Sequence, residues 1–263
     1  MISAIASLLL TLFFVATPAA AATHCDLPPV AVTNVRLFDG EAVTPKATVV
    51  TRCTTIWRIK IGSASLELPT DTVTIDGHGM TLLPGLIDTH THTWSVPMLE
   101  RPLDFGVTTV MDMGSTNREF AGSIRTERAS GPSRNRSDLY SAVLWVTAPG
   151  SHGTQWAEVP TLVEPEDAVA FVAARVEEGA DYVKIIYDNF KMFDRDIPTL
   201  KKETMEAVVA AAHAQGLMAV VHSRDVEAGA DVGNAGADGI VHLPVDEGPD
   251  APLIKLIREK GGW

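Results

Sequence analysis

The sequence predicts an α/β protein in which parallel strands alternate with helices behind a smaller β-rich opening. From Gly85 onward, short apolar runs alternate with stretches of amphipathic helical period, the pattern of successive βαβ units. From about residue 30 to 84, the runs VTNVRLFDG, TVVTRCTTIWRIKIG and TVTIDGHGMTLLPG are β-rich, broken by turns and without helical period. The chain has 263 residues, 46% hydrophobic and 21% charged, enough to bury one large core or two smaller ones. That balance excludes a disordered, collagen-like or disulfide-scaffold chain. Acidic side chains number 33 against 21 Lys plus Arg, a net charge of -12, and no basic cluster offers a footprint for a phosphate backbone. Nucleic acid is therefore not expected as a partner.

Residues 1–22, MISAIASLLLTLFFVATPAAAA, read as a secretory signal peptide: an uncharged apolar run, then Pro18 and a small-residue stretch suited to cleavage. The run is shorter than the about 20 apolar residues a bilayer span needs, although the leader lacks the usual Lys or Arg, which keeps a short anchor in view. Export implies a periplasmic or secreted protein without stable membrane insertion after cleavage. Cys25 and Cys53 are the only cysteines, and an oxidising compartment would allow them to pair. Residues 23–84 then form a β-domain and 85–263 the βα region.

Within that region the strand candidates are 86–92, 107–113, 139–146, 182–186, 217–223 and 239–242. Helix candidates lie near 116–129, 164–178, 201–215, 225–234 and 250–260. A doubly wound sheet and a TIM barrel both fit this alternation, and spacing alone does not choose. A barrel takes eight strands and about 250 residues, so six strands imply either no barrel or an incomplete one. The ending PLIKLIREKGGW, an amphipathic helix followed by Gly-Gly and one apolar residue, favours the second.

Chemistry-bearing residues collect on these strands. His90 and His92, two apart, share one face because strand side chains alternate, and Asp88 continues the pattern; two satisfied strand histidines would look the same. Lys184 lies inside the apolar run YVKII, where an unpaired ammonium is costly. It either pairs with a carboxylate or, as a neutral amine, reacts with carbon dioxide to give a carbamate able to bridge two metal ions. His222 closes AVVH and His242 closes GIVH, at the strand ends where barrel enzymes gather catalytic groups. Nitrogen and oxygen donors in this number suit zinc or a related divalent ion. His152, in the loop APGSHGTQW, is either a substrate contact or an ordinary loop residue, and Tyr187 and Asp188 either line the pocket or hold a loop. His213 is expected near a helix C-terminus, where a cation is mildly favoured.

The motifs GLIDTHTH, VKIIYD, AVVHS and DGIVHLP, with the opening NVRLFDG and the entry TLLPGLID, resemble the amidohydrolase superfamily, nearest its imidazolonepropionase-like and prolidase-like members. The resemblance spans about residues 30 to 245. It implies an incomplete TIM-like barrel of about six strands out of eight, carrying part of a small β-sandwich. It also implies two divalent ions, zinc the expected metal, with His90 and His92 on one, carboxylated Lys184 bridging, and His222 and His242 on the other. His152 is similar to a substrate-facing loop residue of the prolidase-like branch. The family takes a further ligand and general base from an aspartate ending the eighth strand. Asp88, Asp112, Asp188 and Asp246 do not match that position, so the chain is expected to be C-terminally truncated. The implied activity is hydrolysis of amide or related C–N bonds in a small molecule such as a dipeptide, cyclic amide or N-acyl compound. Ester or phosphotriester hydrolysis at the same centre, and a fragment without catalytic competence, stay open, as does homo-oligomerisation.

Overall fold

The computed structural model describes residues 27–62, 64–131, 133–244, 246, 248 and 252–260. The expected signal peptide and Cys25 lie outside the described residues, while Cys53 is disulfide-bonded. The chain divides into two compact units, one up to Leu82 and one from Leu83.

The first unit is a sheet of five strands: β1 (Val30–Phe38), β2 (Val43–Arg52), β3 (Thr55–Ile61), β4 (Val73–Asp76) and β5 (Thr81–Leu82). The order is β3-β2-β1-β4, with β5 also pairing β1. Asp39 Oδ1 accepts from the backbone N–H groups of Glu41 and Ala42, which sets the β1–β2 turn. The run around Cys53, expected as one β-rich stretch, is a hairpin. Arg52 pairs with Thr55, so Cys53 and Thr54 form a two-residue turn, and Cys53 takes the left-handed φ of +57° that such turns require. Ala31, Val35, Ala47, Val49 and Val50 are buried, whereas β3 leaves Ile56, Ile59 and Ile61 exposed.

The second unit alternates strand and helix. Its elements are β6 (Leu86–Thr91), α1 (Pro97–Leu103), β7 (Val107–Asp112), α2 (Arg118–Ala129), β8 (Asp138–Ser141), α3 (Ala168–Glu177), β9 (Val183–Ile186), α4 (Lys202–Ala214), β10 (Ala219–His222), α5 (Val226–Ala235), β11 (Gly239–Val241) and α6 (Pro252–Lys260). All strand pairs are parallel, in two three-stranded sheets ordered β6-β7-β8 and β9-β10-β11. A single bridge, Val146 to Ile185, connects the segment after β8 to β9. The strands thus follow one another in barrel order, but among the described residues no barrel closes. No described helix is long and apolar enough to cross a membrane.

Two features differ from the sequence expectation. Helix α1 was not expected, because Pro97 and Pro102 obscure its period; Pro97 occupies the helix start, where the missing N–H costs nothing. The expected strand 139–146 pairs only as far as Ser141. Val143 then adopts a φ of +58°, unusual for a β-branched residue. It is held there by its N–H donating to Ser141 Oγ at 3.0 Å and by its carbonyl accepting from Ser115 N–H at 2.8 Å.

Strand alternation divides β9 and β10 between two apolar environments. Val183, Ile185, Ala219 and Val221 pack outward with Val172, Met205, Val208, Val209 and Ala212 of α3 and α4. Tyr182 and Val220 turn the other way and pack with Met113, Ala142 and Val241. Burying each large aliphatic side chain contributes about 1.5–3 kcal/mol. Ile185→Ala removes a fully buried side chain at the strand that joins the two sheets, and should lower unfolding stability by about 2–5 kcal/mol in urea titration.

Candidate metal centre

The strand ends bring five imidazoles around one cavity of about 790 Å3 that also contains Lys184 and Arg224. His90 and His92 come from the end of β6, with ring centroids 5.7 Å apart. His222, the last residue of β10, lies 4.3 Å from His242, which in turn lies 4.7 Å from His90. His242 directly follows β11 with a φ of +78°, a left-handed conformation that non-glycine residues adopt mainly where the surroundings enforce it. His152 approaches from the loop after β8 to 4.9 Å from His222. Lys184 lies in the middle of β9 and is buried. Among the described residues, no three His, Cys, Asp or Glu side chains are drawn around one point so as to hold a metal ion as they stand.

The chemistry of the donor set nevertheless fits divalent metal. A carbonyl only accepts, so the 2.9 Å contact to Gly114 O makes His92 Nδ1 the donor and leaves its Nε2 lone pair free. His222 Nε2 lies 3.1 Å from the Asp188 carboxylate, which likewise accepts and leaves the lone pair on Nδ1. Oxygen acceptors bonded to one ring nitrogen in this way orient histidines that bind metal through the other. Burial first, then the Lys184 charge, lowers His90 to about 4. Burial and the neighbouring His222 bring His242 to about 3, so both rings are neutral at neutral pH, as ligation requires. Burial, followed by the Arg224 charge, lowers the Lys184 amine to about 7. No carboxylate among the described residues pairs with Lys184, which removes the ion-pair alternative left open by the sequence.

The expected residues separate by strand parity. His90, His92, Lys184, His222, His242 and His152 all line this cavity. Tyr187, expected as a substrate contact, does not: it is one residue out of phase with Lys184 and Ile186, its ring packs against the outer core, and its hydroxyl donates to Asp231 at 3.1 Å beside a different cavity. Asp88 accepts from His90 N–H but is absent from the cavity wall. His213 ends α4 and contacts Asp238.

Asp188, which the sequence left between a pocket and a loop role, accepts from His222 and from Phe190 N–H at 2.8 Å, with Arg224 Nε 3.6 Å away. Other site residues were not singled out from the sequence. Asp112 is buried and its carboxylate accepts from Thr93 N–H and Ser141 Oγ, tying the loop after β6 to the end of β8. Trp94, Trp145 and Trp156 supply an apolar wall. An ideal Cβ on Gly153, whose φ is +97°, would lie 2.2 Å from Trp145 Nε1, so only glycine lets that loop close on the indole.

No protein-family profile and no curated protein matches this chain. Solved structures share its fold. A Xaa-Pro dipeptidase with bound methionine in its active site is 24% identical, with a TM-score of 0.69, covering 89% of this chain and 65% of its own. A prolidase complexed with N-methylphosphonate-L-proline is 18% identical, with a TM-score of 0.71 and the same coverage of 89% and 65%. Phenylurea hydrolase B is 20% identical, with a TM-score of 0.67, over 89% and 64%. The structural neighbours are thus hydrolases of the prolidase and amidohydrolase kind, and at these identities the common property is the fold. The chain spans about 65% of the length of the first of these structures.

Burial alone would raise the Asp188 carboxyl, but the His222 contact, Phe190 N–H and Arg224 outweigh it and hold it below the ordinary range. A carboxyl lowered by folding contributes stability that is present above its unfolded value and lost as pH falls through the folded one. Asp188→Asn should therefore cost about 1–3 kcal/mol at neutral pH, and should flatten the acid limb of the stability curve below about pH 4. Chemical denaturation across pH measures both. Gly153→Ala should lose about 1–3 kcal/mol and shift tryptophan emission, as the indole of Trp145 is displaced.

Proposed function

We propose that this protein is a metal-dependent hydrolase of amide or related C–N bonds in a small molecule. The observation that carries the reading is the convergence of His90, His92, His222 and His242, from three strand ends, on a buried lysine that has no carboxylate partner among the described residues. Two divalent ions, zinc the best suited, would be held by His90 and His92, by His222 and His242, and by carboxylated Lys184 between them. Bound there, they would supply an acidified water and polarise the scissile carbonyl. The signal peptide read at residues 1–22 is not required for this chemistry; export to a periplasmic or extracellular setting is part of the same proposal, on the sequence grounds above.

The chain's own groups have separable roles. The neutral Lys184 amine would add to carbon dioxide and release one proton, giving a carbamate, an anionic oxygen donor in place of a nitrogen one. Gly114 O and Asp188 fix the rings of His92 and His222, so ligand lone pairs are in place before metal arrives. The Gln155 side-chain amide donates to His152 Nδ1 at 3.1 Å, which leaves His152 Nε2–H as a donor at the cavity, placed for a substrate oxygen. The described wall contains no Asp or Glu, so the proton acceptor that the family resemblance implies is not supplied by these residues.

The fold likeness to a Xaa-Pro dipeptidase, a prolidase and phenylurea hydrolase B supports an amide-type bond. Dialysis against chelator should abolish hydrolysis across a panel of dipeptides, N-acyl amino acids and cyclic amides, and zinc should restore it. Full activity in chelator would contradict the metal reading, and preferential turnover of esters or phosphotriesters would contradict the bond type. Lys184→Ala should lower the zinc bound per chain and reduce kcat at least about a hundredfold, in line with loss of a metal-site ligand.

A further inference from the structure

We propose that Arg224 anchors a carboxylate of the substrate, so that the cavity takes dipeptides or N-acyl amino acids with a free carboxylate in preference to neutral amides. The inference starts from the hydrolase reading and adds the substrate class. Arg224 follows His222 by two residues, in the loop that leaves β10. Its guanidinium is held by one face and one edge: it lies 4.4 Å over the Phe190 ring and 5.3 Å from that of Phe193, with Nε 3.6 Å from Asp188. Phe190 is itself buried and pinned by its N–H on Asp188. The two terminal nitrogens have no hydrogen-bond partner among the described residues. That leaves the planar fork preset for two parallel bonds to a carboxylate, the geometry in which arginine differs from lysine.

The charge of the cavity points the same way. The chain carries 33 acidic residues and a net charge of -12, yet none of those among the described residues lines this cavity, whose permanent cation is Arg224. Asp188 compensates only in part, because its oxygens already accept from His222 and Phe190 and its contact with Arg224 exceeds hydrogen-bond length. A neutral amide entering the cavity would strip water from the guanidinium without replacing it, whereas a carboxylate restores both bonds. Trp94 and Trp156, exposed on the same wall, offer an apolar surface for the substrate side chain.

The test compares N-acetyl-L-leucine with N-acetyl-L-leucinamide by calorimetry on the full chain stripped of metal, so that the carboxylate cannot bind through an ion. The acid should bind about tenfold or more tightly than the amide, the range for hydrogen bonds to a charged group. Arg224→Met should make the two ligands bind alike, and Arg224→Lys, a charge without the fork, should give an intermediate preference. Equal binding of acid and amide to the unaltered protein would overturn the proposal, as would a preference that survives Arg224→Met or the absence of measurable binding by either ligand. If the acid binds as expected but is not hydrolysed after zinc is restored, the hydrolase reading fails and the carboxylate anchor stands.

Discussion

A lysine amine buried in the middle of a strand, with an arginine near it and no carboxylate beside it among the described residues, is the constraint around which the site is arranged. Lys184 sits between Val183 and Ile185, which bury themselves in the outer core, and its own side chain has only the cavity to enter. Taking an ammonium out of water without a partner is costly, and the amine escapes the cost by giving up its proton near neutral pH. A neutral amine is a nucleophile, so the burial that threatens the fold also suits the chemistry proposed for it.

Asp188 connects that site to its surroundings. It shares the inward parity of Lys184 and Ile186, orients the His222 ring, and pins Phe190 by its backbone. Phe190 then supports the face of Arg224. One carboxylate thereby positions the His222 imidazole and the Arg224 guanidinium on neighbouring parts of the cavity. The polar groups deeper in the second unit follow the same economy. Asp112 accepts from Thr93 and Ser141, and Tyr182 donates to the Asp112 carbonyl, so the ends of β7 and β8 are fixed before any ligand binds.

Much of this was legible in the sequence for one reason: strands buried on both faces are written as continuous apolar runs, and a polar residue in or at the end of such a run is conspicuous. That pattern located β7, β9, β10 and β11, β6 too although its residues are largely exposed, and five of the six residues that converge on the cavity, His152 lying in a loop. It failed where the backbone departs from regular geometry. The left-handed Val143 ends β8 early, the left-handed Cys53 turns one run into a hairpin, and prolines hide α1. Tyr187, left open between a pocket and a loop role by its position near Lys184, faces the outer core, the side to which alternation alone sends it. Arg224 was overlooked because its role depends on Phe190 and Phe193, remote in sequence and stacked beneath it only in the fold.

The most direct test of this account is the zinc content of the purified chain, with isotopically labelled bicarbonate present, followed by carbon NMR of the same sample. The account predicts two zinc ions per chain and a carbamate signal that is absent from Lys184→Ala. A chain that binds no zinc, or binds it without any carbamate on Lys184, would contradict it.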